Sequence, residues 1–431
     1  MKRQKFFPWR LLLAITLGHA IPLSSKGEDA QPAIATPLTL DAAIHLAWND
    51  NPALRALIAS VASAQGEVVT AATWSNPEVS FAPGFELARD PSGAQFHGDF
   101  GLEQTFEWPG KRALRRAVAE KNVAIRQLAL DGFRSQLAIR VRRAYFNLLA
   151  TRERMSLLEQ RLTLAKLFAE AARKKVEGGF AAEFEATKAE VEIVGAQTRL
   201  RDARAQHDAA RVELNSLFGR APAAALSLAD ELNHRIDLPD RSAWMEDALT
   251  RNPAIKIQEA EVERTGLSLK SIRRSRRPDF TVGPSVEYTR DEQIVGFGVS
   301  VPLPLWDRKK GELATATAEQ ERALAELENL RREIQRDVTI GWQNLIAARE
   351  SLAFYTPELR AKLKASLDAA SQSYSAGQTP LLLYLESQRT YFDTQADYFD
   401  ALQKCYETQA AVESAAGHSL QSTIELPLRH Q

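Results

Sequence analysis

The chain repeats itself once, and this duplication limits the available folds more than any other feature of the sequence. The triplet Asn51-Pro52-Ala53 recurs as Asn252-Pro253-Ala254, and two prolines recur at the same spacing. Two glycines farther along recur at a slightly shorter spacing. Self-similarity over so long a period indicates two copies of one structural unit. The other matched pairs are Pro77 with Pro278, Pro83 with Pro284, Gly179 with Gly377, and Gly219 with Gly417.

Each copy contains a stretch in which apolar and polar residues alternate. The first covers about 77–108 and the second about 278–304, where a polar turn at Arg290-Asp291-Glu292 separates the two halves. Alternation with a period of two predicts β-strands with one apolar face. A hairpin with strands of about ten residues, apolar on one side and wet on the other, is typical of a transmembrane β-barrel. We therefore predict two membrane-spanning β-hairpins in each chain.

The two faces of these hairpins predict different surroundings. We expect the apolar side chains in mid-strand to face lipid. The opposite face carries acids and no Lys or Arg, so it predicts a lumen that favours cations, unless the acids merely solvate the wall. The predicted lipid-facing residues are Phe81, Phe100, Phe280, Val282, Phe297 and Val299. The predicted lumen-facing acids are Glu78, Glu86, Asp99, Glu103, Glu107, Asp279 and Glu287.

Long helices fill most of the remaining chain. After Pro109 no proline occurs before Pro222, and the strongest break between them is Gly178-Gly179. This predicts a helix of roughly 65 residues, about 100 Å long, then a turn and a second helix of about 40 residues. The second copy predicts a matching helix from about 307 to 374, which Pro357 should bend without ending it. A return helix should then extend to Gly417.

The return helices carry residues spaced seven apart, which is the spacing of a coiled coil. Such a stripe is far more often a packing seam than a cofactor site, so we expect these positions to be buried between helices. The stripes are Tyr384, Tyr391, Tyr398 and Cys405 in the second copy, and Ala186, Ile193, Leu200, His207 and Leu214 in the first.

Composition and motifs exclude several classes of protein. The 55 basic and 55 acidic residues balance, so no net charge favours nucleic acid. The single cysteine, Cys405, excludes an intrachain disulfide and a zinc site built from cysteines. No phosphate-binding loop, nucleophile elbow or paired metal-binding histidines occur. We expect no enzyme, no cofactor and no resident metal ion.

The N-terminus is typical of an export signal. A basic segment at 1–10 precedes an apolar segment at 11–17 and the small residues of Gly18-His19-Ala20. We therefore predict a mainly α-helical, internally duplicated chain with four membrane β-strands. Its predicted organisation is a signal peptide at 1–20, a first repeat at 21–219, a linker at 220–241, a second repeat at 242–417, and a C-terminal tail at 418–431.

Short sequence motifs and the predicted order of the elements resemble a known family. The order of two helices, hairpin, long helix, tip turn and return helix is similar to the TolC-like outer-membrane efflux proteins, over about 38–417. The phrases are closest to the heavy-metal, CzcC-like branch of the tripartite pumps, although Arg308-Lys309-Lys310-Gly311 stands where that branch often has Arg-Asn-Gln-Gly. The matching phrases are Asn51-Pro52, Asn76-Pro77-Glu78, Glu107-Trp108-Pro109-Gly110-Lys111-Arg112, Pro278-Asp279, and Val301-Pro302-Leu303-Pro304-Leu305-Trp306-Asp307-Arg308.

The resemblance implies an outer-membrane exit duct for divalent heavy metals such as cobalt, zinc or cadmium. It implies a homotrimer with a shared twelve-stranded barrel in outer-membrane lipid, above a helical tunnel that crosses the periplasm. Its partners would be a periplasmic membrane-fusion adaptor and an inner-membrane RND-type pump. The residues independently require oligomers, because four strands cannot close a barrel and about eight is the smallest number known.

Two alternatives stay open at this point. One is a duct of the same fold for drugs or type I protein secretion. The other is a soluble periplasmic coiled-coil adaptor or scaffold, which the apolar hairpin faces disfavour because they lack the charges that protect soluble strand edges.

The helix-to-helix turns are the predicted adaptor-docking tips. Reversing a helix in so few residues requires a backbone with positive φ, which glycine adopts readily. The resemblance implies docking with the adaptor's helical hairpin at Gly178, Gly179, Phe180, Ala376, Gly377, Gln378 and Thr379. Relatives often carry two acids three apart just inside this tip. Here Leu383 and Glu386 hold those places, so we expect a narrower acidic constriction from Glu386, with Leu383 and Glu185 beside it.

Overall fold

The computed structural model describes residues 37–87, 94–232, 240–289 and 292–417. The predicted signal peptide and tail, the loop of the first hairpin, part of the linker, and residues 290 and 291 of the second turn lie outside these ranges. The first repeat contains α1 (Leu40–Asp50), α2 (Pro52–Ala72), β1 (Glu78–Leu87), β2 (Ala94–Phe106), α3 (Lys111–Glu177) and α4 (Glu183–Leu217). The second contains α5 (Arg241–Arg251), α6 (Pro253–Ser275), β3 (Phe280–Tyr288), β4 (Gln293–Ser300), α7 (Lys310–Ala353), α8 (Pro357–Ser375) and α9 (Leu381–Ala416).

The duplicated Asn-Pro and Gly motifs meet in space. The Asn51 carboxamide caps α2 by accepting from the amides of Ala53 and Leu54, and its Nδ2 donates to the carbonyl of Leu217 at the end of α4 (2.9 Å). Asn252 caps α6 by accepting from the amide of Ala254, and its Nδ2 donates to the carbonyl of Ala415 in α9 (3.0 Å). Each repeat therefore closes on itself through its own asparagine.

The two glycines that follow these helix ends have a steric reason to be glycine. Gly219 and Gly417 have φ of 67° and 80°, in the left-handed region. A Cβ at Gly219 would lie 2.9 Å from Cδ of Pro52, and one at Gly417 would lie 2.5 Å from Cδ of Pro253. Both the backbone conformation and the adjacent proline exclude a side chain.

The four strands form one antiparallel sheet in the order β1-β2-β3-β4. Phe81 pairs with Phe100, Phe100 with Val286, and Val286 with Val295, so these four side chains share one face. The alternation predicted from the sequence is therefore confirmed in register across both hairpins. The second hairpin was predicted to reach Pro304, but β4 ends at Ser300. Pro302 and Pro304 have no N–H to donate to a ladder.

The long helical hairpin of the first repeat matches the prediction in length. The helix α3 has 67 residues and the return helix α4 has 35. One core cluster joins α1, α3 and α4 around Tyr145, and a second joins α5, α7 and α9 around Trp342. A third, near the tip, contains the stacked rings of Phe168 and Tyr384. No helix among the described residues is long and apolar enough to cross a membrane.

The heptad stripes are packing seams. The buried positions are Ala186, Leu200, Leu214, Tyr384 and Cys405, and the partly buried ones are Ile193, His207, Tyr391 and Tyr398. Burial lowers the pKa of the His207 imidazole below its ordinary value and raises the pKa of the Cys405 thiol to about 11.

The prediction for Pro357 was wrong. The helix α7 ends at Ala353, and α8 begins anew with Pro357 at its first position. The hydroxyl of Thr356 accepts a hydrogen bond from the amide of Leu359 (3.2 Å) and caps the new helix. Proline is favoured at that first position because its missing N–H has no helical partner there, and threonine is a favoured cap. The sequence Thr-Pro-Glu therefore starts a helix, where we had expected a bend.

Candidate functional site

Acidic side chains lie opposite one another on the polar face of the sheet. Glu78 of β1 pairs in register with Glu103 of β2, and Asp99 of β2 pairs with Glu287 of β3. All four are exposed, and none of them forms an ion pair within the described part of the chain. Like charges directly opposite each other destabilise a sheet. The two pairs therefore concentrate negative charge on this face at some cost to the stability of the sheet.

Two of the predicted lumen-facing acids, Asp279 and Glu107, form ion pairs. Asp279 accepts hydrogen bonds from Nζ of Lys111 (2.8 Å) and from the amide of Trp108 (2.7 Å). Glu107 pairs with Arg115 (2.8 Å) and is nearly buried. Both ion pairs tie the strand ends to the first turns of α3, so these acids position the junction between sheet and helices. The side chain of Glu86 lies outside the described residues.

The opposite face of the sheet is largely apolar and is interrupted by Gln104, which pairs with Val282. Phe81, Phe297 and Val299 are about two-thirds exposed, and Phe100 is about half exposed. Phe280 and Val282 are partly buried, because the Phe280 ring stacks on Phe106 with 5.6 Å between centroids. An exposed apolar surface of this extent indicates contact with lipid or protein.

The two predicted tip turns have the positive φ that was expected at their glycines. Gly179 and Gly377 have φ of 76° and 78°. The amide of Phe180 donates to the carbonyl of Lys175 (2.8 Å), and the amide of Gln378 donates to that of Ser373 (2.9 Å), which is the hydrogen-bond pattern of a glycine-terminated helix. Phe180 is 86% exposed.

A contact between the two tips was missed by sequence reasoning. The Tyr374 hydroxyl donates to Oε2 of Glu185 (3.4 Å), and Nζ of Lys175 donates to the Tyr374 carbonyl (2.6 Å). The same ammonium lies 3.7 Å from the Tyr374 ring centroid. Burial, reinforced by the charge of Glu185, raises the pKa of Tyr374 to about 12. Tyr374 is therefore a neutral donor at physiological pH, and no local pattern distinguishes it in the sequence.

The predicted constriction residues separate into two environments. Leu383 and Glu386 are exposed near the start of α9, whereas Glu185 is half-buried and turned toward Tyr374. The structure does not join Glu185 and Glu386 by any hydrogen bond within the described ranges. No group of three or more His, Cys, Asp or Glu among the described residues could hold a metal ion.

Comparisons with known proteins agree with this geometry. The sequence matches the outer membrane efflux protein family over residues 43–220 and 244–418. It is 28% identical over 425 residues to the cobalt-zinc-cadmium resistance protein CzcC of Cupriavidus metallidurans, covering 96% of this chain and 100% of that one. It is 25% identical to the nickel-cobalt-cadmium resistance protein NccC of Alcaligenes xylosoxydans xylosoxydans, over 76% of this chain and 74% of that one.

Solved structures share the fold. The outer-membrane channel OprN superposes with a TM-score of 0.75 at 17% identity, covering 88% of this chain and 90% of that one. CusC superposes with a TM-score of 0.74 at 15% identity, covering 88% and 92%. The fold class expected from the sequence is thereby confirmed, and the outer membrane is the location of these proteins. The family match covers both repeats, so the chain belongs to the outer membrane efflux protein family.

Proposed function

We propose that the chain is the outer-membrane exit duct of a tripartite, RND-type efflux system that exports divalent heavy-metal cations such as cobalt, zinc or cadmium. The observation that carries the choice of cations is the two pairs of facing acids on one wall, Glu78 with Glu103 and Asp99 with Glu287. No Lys or Arg lies on that face within the described strands. The metal-resistance relatives support the same choice. We propose transport without catalysis.

The duct is proposed to be a homotrimer. The strands β1 and β4 are the two outer strands of the sheet, and each presents an edge that the chain itself leaves open. In lipid every backbone polar group needs a partner, so the edges must pair with further copies. Three copies would supply twelve strands, which exceeds the smallest barrels of about eight.

The helical tips are proposed to meet the periplasmic adaptor, with the pump in the inner membrane beyond it. Phe180 offers an exposed apolar contact, and the glycine turns let two helical hairpins approach closely. The contacts from Tyr374 to Glu185 and Lys175 hold the two tips together and are suited to keeping an idle duct closed.

Planar-bilayer recording tests the proposed cation preference. The reconstituted trimer should pass cations over anions at low salt, and the double variant Asp99→Asn/Glu103→Gln should shift the reversal potential toward zero. The matched control is Glu246→Gln, which removes an exposed acid from α5 and should leave the reversal potential unchanged. A preference for anions in the unaltered protein would reject a cation duct. Restoration of cobalt, zinc and cadmium resistance in a strain lacking its own duct would identify the cargo.

A second candidate is a duct of the same fold with another cargo. The chain is 23% identical to the pyoverdine export outer membrane protein OpmQ of Pseudomonas aeruginosa, over 83% of this chain. The genes beside this one would discriminate, since the inner-membrane pump selects the substrate. A soluble scaffold no longer fits a member of this family.

A further inference from the structure

A cleft of about 570 Å³ lies where the first hairpin joins the helices. Its walls include the indole rings of Trp74, just before β1, and Trp108, just after β2. Arg112 and Arg116 from the first turns of α3 also line it. The cleft thus combines two large amphipathic rings with two guanidinium groups at the end of the apolar sheet face.

Hydrogen bonds and an ion pair fix the two chain segments that carry Trp74 and Trp108. The Nε of Arg274 donates to the carbonyl of Pro109 (2.9 Å), which fixes the turn that follows Trp108. Arg115 pairs with Glu107 and also donates to the carbonyls of Ala71 (3.0 Å) and Thr73 (3.2 Å), which fixes the segment before Trp74. Glu107, the acid in the lining, is neutralised by this arginine.

Two arginines that could bind a phosphate, Arg112 and Arg277, lie against aromatic rings. The Cζ atom of Arg112 lies 4.1 Å from the Trp74 ring centroid, and that of Arg277 lies 5.3 Å from Trp108. Neither arginine forms an ion pair within the described residues, whereas Arg116 is bound through Nε to Glu120. Guanidinium groups recognise phosphate through several donors at once.

An apolar path leads from the cleft onto the sheet. Trp74 contacts Phe106 edge-on, with 6.2 Å between centroids, and Phe106 stacks on Phe280. Tryptophan and arginine at the end of an apolar band are typical of a membrane–water interface. A free phosphate ion would use only the arginines, whereas a phospholipid would use the arginines and this path.

We propose that the cleft between Trp74 and Trp108 binds a phospholipid of the membrane, its phosphate on Arg112 and its acyl chains along Phe106 and Phe280. Arg277, which lies against the Trp108 ring and does not line the cleft, adds a nearby positive charge. The inference rests on the proposed position of the sheet in the membrane. The other occupant to consider is the segment after β4 of a neighbouring copy, which contains the exposed Trp306. That segment continues into Asp307, Arg308, Lys309 and Lys310, where Lys309 pairs with Asp307 and Glu312. The charges of Arg308 and Lys310 oppose its seating beside Arg112.

Native mass spectrometry of the purified trimer in detergent, titrated with dioleoylphosphatidylglycerol, tests the proposal. The unaltered protein should bind this lipid, and Arg112→Gln should weaken binding roughly tenfold, as expected for losing one charge-assisted contact. Arg277→Gln should weaken it in the same direction and serves where Arg112→Gln assembles poorly. The matched control is Arg322→Gln, an exposed arginine on α7, which should bind normally. Unchanged affinity in both Arg112→Gln and Arg277→Gln would overturn the proposal.

Two further measurements separate the alternatives. Binding of inorganic phosphate as tightly as dioleoylphosphatidylglycerol would mean that the acyl chains add nothing and that the cleft is a free-anion site. Disulfide formation between copies in Trp74→Cys/Trp306→Cys would mean that a neighbour fills the cleft. Either result overturns lipid binding. The same spectra report the mass of the oligomer, so a failure to form trimers counts against the proposed duct and is distinguishable from a loss of lipid alone.

Discussion

Arg142 of α3 and Glu413 of α9 form a buried ion pair that joins the two repeats. One guanidinium nitrogen lies 2.9 Å and 2.8 Å from the two carboxylate oxygens, and Gln409 donates to the same carboxylate (2.9 Å). The Glu413 side chain is fully buried. A buried pair adds little by itself, but removal of one partner leaves an uncompensated charge.

We therefore expect Glu413→Ala to destabilise the fold by about 3–5 kcal/mol. Urea unfolding of the purified protein measures this change. The matched control is Glu326→Ala, which removes an exposed partner of Arg322 and should cost less than about 1 kcal/mol. Equal midpoints for the two variants would contradict the expectation. Arg142→Met/Glu413→Leu should recover much of the lost stability, because no charge remains buried.

The apolar face of the sheet is predicted to contact lipid. Phe297→Arg should lower the stability of the inserted protein by about 2–4 kcal/mol if the residue lies near the midplane of the bilayer. The yield of heat-resistant trimers in the outer-membrane fraction measures the effect. Ser285→Arg, on the polar face of the neighbouring strand, is the control and should be better tolerated. Normal trimer yield from Phe297→Arg would show that the facing is assigned wrongly.

The tip turns are predicted to dock with the adaptor. Gly377→Trp places a bulky residue at φ of 78°, so it distorts the turn and should abolish efflux while trimers still reach the membrane. Metal resistance and trimer yield are measured in the same strain. Gly311→Trp is a suitable control, because Gly311 lies in open space near the start of α7, far along the chain from the tip. Full resistance in the Gly377→Trp strain would refute docking at this turn.

The contact between Tyr374 and Glu185 is predicted to keep the idle duct closed. Tyr374→Phe removes the hydroxyl donor and should raise the single-channel conductance, with a smaller increase in Glu185→Gln, which can still accept. Tyr391→Phe is the control, because its hydroxyl makes no hydrogen bond within the described ranges. The pKa of Tyr374 is raised to about 12, above the unfolded value of 10. This hydrogen bond should therefore contribute fully below pH 10 and be lost as pH rises through 12.

Glu386 and Leu383 provide a separate test of the constriction. Both are exposed near the start of α9, so Glu386→Ala should change conductance without affecting the fold. Bilayer recordings of Glu386→Ala and Leu383→Ala would compare a change of charge with a change of bulk. Unchanged conductance in Glu386→Ala would exclude an acidic ring at this position.

Features with a local period could be predicted from the sequence. The alternation that places Phe81 and Phe100 on one face depends only on neighbouring residues, and so does the positive φ at Gly179. The start of a helix at Pro357 is equally local, since Thr356 caps it, although a bend was predicted there.

Features that join distant segments could not be predicted in this way. The pairing of Asp99 with Glu287 depends on the register between β2 and β3, which belong to different repeats. The contacts of Tyr374 with Lys175 and Glu185 depend on how two helical hairpins lie side by side. A residue's own neighbours carry no information on either arrangement.

The contacts that Asn51 and Asn252 make with the ends of the return helices bear on the origin of the duplication. Each such contact, with its adjacent glycine, is called a joint. Asn51 contacts the end of α4 and Asn252 contacts the end of α9, so each joint is built entirely from residues of one repeat. A half-length chain would already carry its own joint, and twice as many such chains could build the same ring. The two halves are no longer identical: α3 is continuous, whereas the matching stretch of the second half is interrupted between α7 and α8.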